Sequence, residues 1–283
     1  GVDDGLFLRS AHAPIQPAGP RRPGMDPGRA AFPEQLPISM TAAGAHRVGG
    51  PSSRDRKVVT LIVYNELVAV TAGAGLLGFA AFLSQLLRHQ QIESEGWAGF
   101  FGASGLLLLV TGLHTTLTWP FGGDGFEYAN IAFGQPAAAF GALLLLAAVY
   151  LWRHRELFKA EPEVANTTAL AALKPAGILV GTIGLGMAVL AISFVRYQLG
   201  AAPPEEPISG RFGDMPILEA LFLGGLWGII ALGSILFAVA LWADRPRLLR
   251  WAVWAWVIGG VVLLLFGAMN FYTHIGMYTN FAY

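Results

Sequence analysis

Three ionisable side chains stand out in this 283-residue sequence because of their setting: Glu66, His114 and His274. Each lies inside or at the edge of a long stretch that carries no other charge. Two imidazoles and a carboxylate form a donor set suited to Zn, Fe, Cu or Mn. Glu127 or Glu219 could complete such a shell. The two histidines could instead ligate a haem b from opposite faces, with Gly112 leaving room for the macrocycle beside His114. Without a metal, the same groups could relay a proton or hold a small molecule, since burial raises a carboxyl pKa towards neutrality. The plain alternative is structural. Neutral histidines would bond a threonine or a carbonyl, and Glu66 would pair with Arg196.

The elements that must position these groups follow from where charge is absent. Six stretches contain no Asp, Glu, Lys or Arg: 67–87, 96–123, 128–152, 175–195, 220–243 and 251–283. A membrane-spanning helix needs about 20 mostly apolar residues, and each stretch is long enough. In lipid every backbone polar group must be paired internally, which selects helices here. A β-barrel would need alternating polar positions, and Leu106–Val110 and Leu143–Val149 do not alternate. Trp97, Trp119, Trp152, Trp242, Trp251 and Trp254 fall near the expected span ends, where amphipathic rings favour the headgroup region. Gly177 with Gly181, and Gly224 with Gly228, give flat helix faces for packing within the bundle or between copies.

Residues 1–57 differ in kind. They hold 8 of the 17 prolines, 8 glycines and 13 charges, with no apolar run. This composition predicts a disordered tail without the apolar core of a signal peptide. Met40 is a plausible native start, with the preceding residues an upstream extension. The expected architecture is therefore all-α: an integral membrane bundle of six transmembrane helices over 58–283, preceded by that tail.

Alternation of six spans puts the start of spans 1, 3 and 5 and the end of spans 2, 4 and 6 on one side. Nearly every costly polar residue falls there. Asn65 and Glu66 are expected two turns into span 1, with Glu66 roughly 12 Å past Val58. His114 with Thr115, Thr116 and Thr118 closes span 2, Asn130 and Gln135 open span 3, and Arg196 closes span 4. Glu219 opens span 5, and Asn270, Tyr272, His274 and Tyr278 close span 6. Ionisable groups at membrane depth face a bundle interior or a water-filled cavity. The expectation is one polar pocket lined by Asn65, Glu127, Asn130, Arg196, Glu219 and Asn270 around the three candidate ligands. Eight basic residues lie in the loops of the opposite side, which the positive-inside rule assigns to the cytoplasm of a cell membrane. The pocket then faces the extracytoplasmic side. The acidic loop Pro203-Pro204-Glu205-Glu206-Pro207 reads as a stiff solvated connection.

Composition narrows the function further. Charged residues are 13% of the chain, 18 basic against 18 acidic, and cysteine is absent. That excludes iron–sulfur clusters, thiolate zinc sites and cysteine nucleophiles, and gives no basic balance for nucleic acid. No Walker loop, dinucleotide fingerprint, HExxH or GxSxG occurs. Expected partners are the lipid bilayer and either subunits of a membrane complex or a second copy. No convincing repeat links spans 1–3 to spans 4–6, which lowers a transporter reading.

One stretch is distinctive: Thr118-Trp119-Pro120, then Tyr128, then Asn130-Ile131-Ala132-Phe133-Gly134-Gln135-Pro136. It resembles a family of multi-pass bacterial and archaeal membrane proteins known only as a domain of unknown function. The resemblance would cover about residues 58–283. It implies the helical bundle and no activity. Where this chain has Gln135, the family pattern more often has an acid, a departure that bears on any catalytic role there. Physically, Pro120 would stop span 2, Gly122, Gly123 and Gly125 would form a flexible turn, and Asn130 would cap span 3. Pro136 would kink that span, and the bent helix beside the glycine turn would form either a lid over the pocket or an ordinary interhelical turn.

Overall fold

The computed structural model describes residues 64–118 and 128–282. The tail over 1–57, Met40, Trp119, the Pro120 turn with its glycines, and Glu127 lie outside those residues. The described residues form six long helices and no strand. They are α1 (Asn65–Leu87), α2 (Ser94–Thr118), α3 (Gln135–Arg153), α4 (Pro162–Tyr197), α5 (Pro216–Trp242) and α6 (Pro246–Ala282). All six are long and apolar enough to cross a membrane.

Their outer faces are those of a lipid-solvated bundle. Leu117 is 74% exposed and Ile192 is 67% exposed, beside a continuous set of outward Leu, Val, Ile and Phe side chains. A soluble monomer does not expose an apolar surface of that extent. Trp152, Trp242, Trp251 and Trp254 also point outward at helix ends, as the headgroup region favours. The helices overrun their charge-free stretches, α4 and α6 the furthest. The α4 helix begins 13 residues before Pro175 and carries that proline inside it. At 37 residues, α6 is about 55 Å long against a hydrocarbon core of about 30 Å.

The helices pack mainly as pairs: α2 on α3, α4 on α5, and α1 on α6, with α5 also against α6. Small residues set each pairing. A Cβ placed on Gly73 would stand 2.5 Å from the Leu264 nitrogen and 2.8 Å from the Gly260 oxygen of α6. On the other pair, Gly105 of α2 meets Gly141 of α3 in the same backbone-to-backbone manner. Gly181 of α4 faces Ala238, and Gly224 of α5 faces the Ala191 carbonyl. These two glycine faces thus pack α4 on α5 within one chain. Without a hydrophobic force between helices in lipid, such close approach supplies the dispersion contacts that hold them.

The start of span 3 departs from expectation. Helical structure is already present at Tyr128, and Asn130 makes no capping bond. Residues Asn130–Gly134 instead form a π turn, in which the Gln135 N–H donates to the Asn130 carbonyl five residues back. Pro136 follows in the first turn of α3 and has no N–H to give, so the wider turn absorbs the interruption. Gly134 seats this bulge against Thr115 and Thr116 of α2.

The Gly73 contact is testable. Gly73→Val forces backbone from backbone and should cost about 1–3 kcal/mol, lowering the melting temperature in detergent by roughly 2–10 °C. Gly186→Ala, where nothing lies within 4 Å, should leave it unchanged. Equal melting of both variants and wild type would contradict this packing.

Candidate functional site

The seam between α1 and α6 ends in the most notable contact of the molecule. Along α1, Glu66, Gly73 and Ala80 are seven residues apart, and along α6 so are Gly260, Gly267 and His274. Seven residues are nearly two helical turns, so each set lies on one face. Gly267 meets Ala69 and Val70, and Gly73 meets Leu264 and Gly260. The next step towards the helix ends brings Glu66 to His274, with Oε1 2.5 Å from Nδ1. Glu66 is 7% exposed. It lies in the first turn of α1, not two turns down, and there the helix dipole favours a carboxylate.

An ionised carboxylate can only accept, so in the neutral ring Nδ1 carries the proton towards Glu66 and Nε2 is an acceptor. His274 in turn lines a large cavity of about 530 Å³. Its walls come mainly from α1, α3, α4, α5 and α6, with Thr115 of α2 at one end, in the gap where α3 and α4 barely touch. On α1 the lining runs from Asn65 to Phe79, about 21 Å along the axis. That exceeds half of a hydrocarbon core of about 30 Å.

The cavity is divided by chemistry. Its body is apolar, with Leu76, Phe79, Phe140, Leu144, Met187 and Trp227 among its walls. Most of its polar lining clusters at one end, with Asn65, Thr115, Glu206, Glu219, Asn270 and His274, while Ser234 and Trp227 lie deeper on α5. Two buried polar atoms on this wall have no hydrogen-bond partner, Asn65 Oδ1 and Trp227 Nε1. Trp227 lies about 16 Å below the start of α5, and its indole N–H is a donor left unmet inside the bundle.

The connection between α4 and α5 closes over the polar end. Gly200, Ala202, Pro203, Glu206 and Ser209 line the cavity from it. Several anchors hold this segment. The Gly200 N–H donates to the Tyr128 hydroxyl at 3.0 Å, and the Ala202 N–H donates to Glu219 Oε2 at 3.0 Å. The Asn280 amide donates to the Glu205 carbonyl at 2.7 Å. Gly200 has φ +99°, a conformation that suits glycine. Glu206 is not a solvated loop residue: it is 6% exposed and accepts from the Ile208 and Gly210 N–H groups at 2.9 and 3.0 Å. Burial pushes the Tyr128 phenol above its ordinary value; the Gly200 N–H draws it down, and Glu219 adds to the rise.

The sequence-derived site is therefore assembled in part. Asn65, Glu219, Asn270 and His274 line the cavity, with Glu66 behind His274. Asn130 does not line it; it is buried with Nδ2 unpartnered. Arg196 is exposed, its guanidinium over the Tyr197 ring, so Glu66 pairs with His274 and not with Arg196. His114 is also exposed and does not line the cavity. Its Nδ1 lies 2.5 Å from the Tyr64 hydroxyl, which also meets Thr115 Oγ1 at 2.9 Å. The reason is angular: Gly105 and Gly112 turn one face of α2 to α3, and His114 is about 200° around from Gly112. The two imidazoles thus do not face each other across the cavity, as haem ligation would need. Among the described residues, no three His, Asp or Glu come together to hold a metal. Glu66 with His274 is a pair, short of the three protein ligands that a catalytic zinc keeps.

A six-helix membrane bundle with an apolar cavity and a polar mouth is the class of protein that these observations define. Over residues 59–277 the chain matches the family described as Protein of unknown function (DUF981), and it belongs to that family. No curated protein and no solved structure matches it.

The anchoring of the α4–α5 connection yields a prediction. Tyr128→Phe removes the acceptor of the Gly200 N–H, at a cost of about 0.5–1.5 kcal/mol. Amide exchange at Gly200 and Ala202 should quicken while exchange within α1 and α6 stays slow. Unchanged exchange at those two amides would contradict this anchoring.

Proposed function

We propose that this protein binds an amphiphilic small molecule within the membrane, its apolar body in the cavity and its polar end at the His274 mouth. The observation that carries this reading is the cavity itself: about 530 Å³, apolar along its length and polar at one end. Ligand sites fall in the range of about 300–1,000 Å³, with apolar walls and a few placed polar groups. The unmet Asn65 Oδ1 and Trp227 Nε1 support it, since buried polar groups without partners call for one. Glu66 and His274, with no third His, Asp or Glu beside them among the described residues, support a binder without metal better than a metal centre or a haem protein. The basic loops at the far end support an extracytoplasmic mouth in the cell membrane.

Binding can be followed with 1-aminoanthracene, whose fluorescence rises in apolar surroundings. The wild type should bind it saturably. Ala72→Phe and Ala137→Phe, which fill the cavity from α1 and α3, should weaken binding about tenfold or more while the protein remains folded. Undiminished binding in both variants would contradict the proposal. For the orientation, a tag after Tyr283 should be cleaved by protease added to intact cells; protection of the tag would reverse it.

A further inference from the structure

The mouth of the cavity also constrains what the polar end of the ligand can be; this inference rests on the amphiphile reading above. Among the described lining residues there is no Lys or Arg. The charges present are carboxylates. Glu206 and Glu219 line the mouth, and Glu66 stands behind His274. An anionic head group, a fatty carboxylate or a lipid phosphate, would enter an acidic enclosure with no cation to neutralise it. Burying such a charge unpaired is costly.

At the mouth, the buried polar atom left without a partner is an acceptor, whereas the unmet Trp227 indole N–H lies deeper in the cavity. Asn65 Oδ1 is buried and has no partner. His274 Nδ1 is committed to Glu66, which leaves Nε2 of the neutral ring as an acceptor on a cavity-lining residue. Glu219 Oε2 accepts from the Ala202 N–H, and Glu206 Oε2 from two loop amides, so their near oxygens are already used in closing the mouth. A head group that only accepts, such as an ether or an ester, would leave the buried Asn65 Oδ1 unmet. We propose that the ligand's polar end is a hydrogen-bond donor, an alcohol or phenol hydroxyl, whose one O–H is received by Asn65 Oδ1 or His274 Nε2. Glu66 then has a positioning role: it fixes the imidazole so that its acceptor nitrogen is the free one.

Three molecules of equal chain test this directly: hexadecanol, hexadecyl methyl ether and palmitate. Each is offered to the purified full chain in detergent, and retention is read by native mass spectrometry. Hexadecanol should be retained about tenfold more than either of the others. In His274→Phe that preference should fall to less than threefold. Asn65→Val, which removes an atom with no partner in the fold, should reduce it in the same direction and guards against a folding defect in the first variant. Palmitate or the ether bound as well as the alcohol by the wild type would overturn this inference and leave the cavity reading intact. Failure of a folded wild type to retain any of the three would overturn the cavity reading, and this inference with it.

Discussion

The close approach of α1 and α6 is the constraint from which the rest follows. Gly73 admits the α6 backbone at Leu264 and Gly260, and Gly267 admits α1 at Ala69 and Val70. Two helices held this near cannot rotate or slide without backbone overlap, so the register is fixed over their shared length. That register sets Glu66 opposite His274 at the end of the seam. A carboxylate and an imidazole placed there satisfy each other away from bulk water. The same seam forms one wall of the cavity, through Val68, Ala72 and Leu76 on α1 and Leu263, Phe266 and Asn270 on α6.

The cavity is the space left when pairs pack better than the whole. The α2–α3 and α4–α5 pairs are each zipped by small residues, but α3 and α4 meet little. Native interiors seldom leave voids of this size unfilled. In a bundle stabilised by local pairing, the opening costs no pair its contacts. The bulky groups that line it, among them Phe79, Phe140 and Trp227, widen the gap as much as they border it. Closure at the polar end comes from hydrogen bonds to Tyr128, Glu219 and Asn280. Such bonds are individually modest and can open locally without unfolding the bundle. A mouth held in this way can admit a molecule while the seam stays rigid.

The bundle was legible in the sequence because lipid imposes a rule that single residues reveal: charge is excluded over about 20 positions. Which helix ends share a side was equally legible, since it needs only the alternation of spans. Depth can be read in this way, but azimuth cannot. His114 and His274 sit near the same side, yet His114 faces outward to Tyr64 and His274 faces the cavity. The glycine spacings did carry the azimuth. Gly105 and Gly112 mark the packed face of α2 and put His114 away from it, while Gly260 and Gly267 lead straight to His274. Arg196 follows the same logic, lying two residues and about 200° from the buried Phe194. What no periodicity could show was Glu206. Its neighbours in sequence are prolines and another acid, and its burial depends on how the α4–α5 connection folds back over the cavity.

The central claim is that the cavity is a binding site and not a packing defect. The most direct measurement is organic extraction and mass spectrometry of the protein purified in mild detergent from its native membrane, with Ala72→Phe prepared alongside. The account predicts one lipid-like molecule recovered in near-stoichiometric amount from the wild type and markedly depleted from the variant. Equal recovery from both proteins, or no such molecule from a folded wild type, would contradict it.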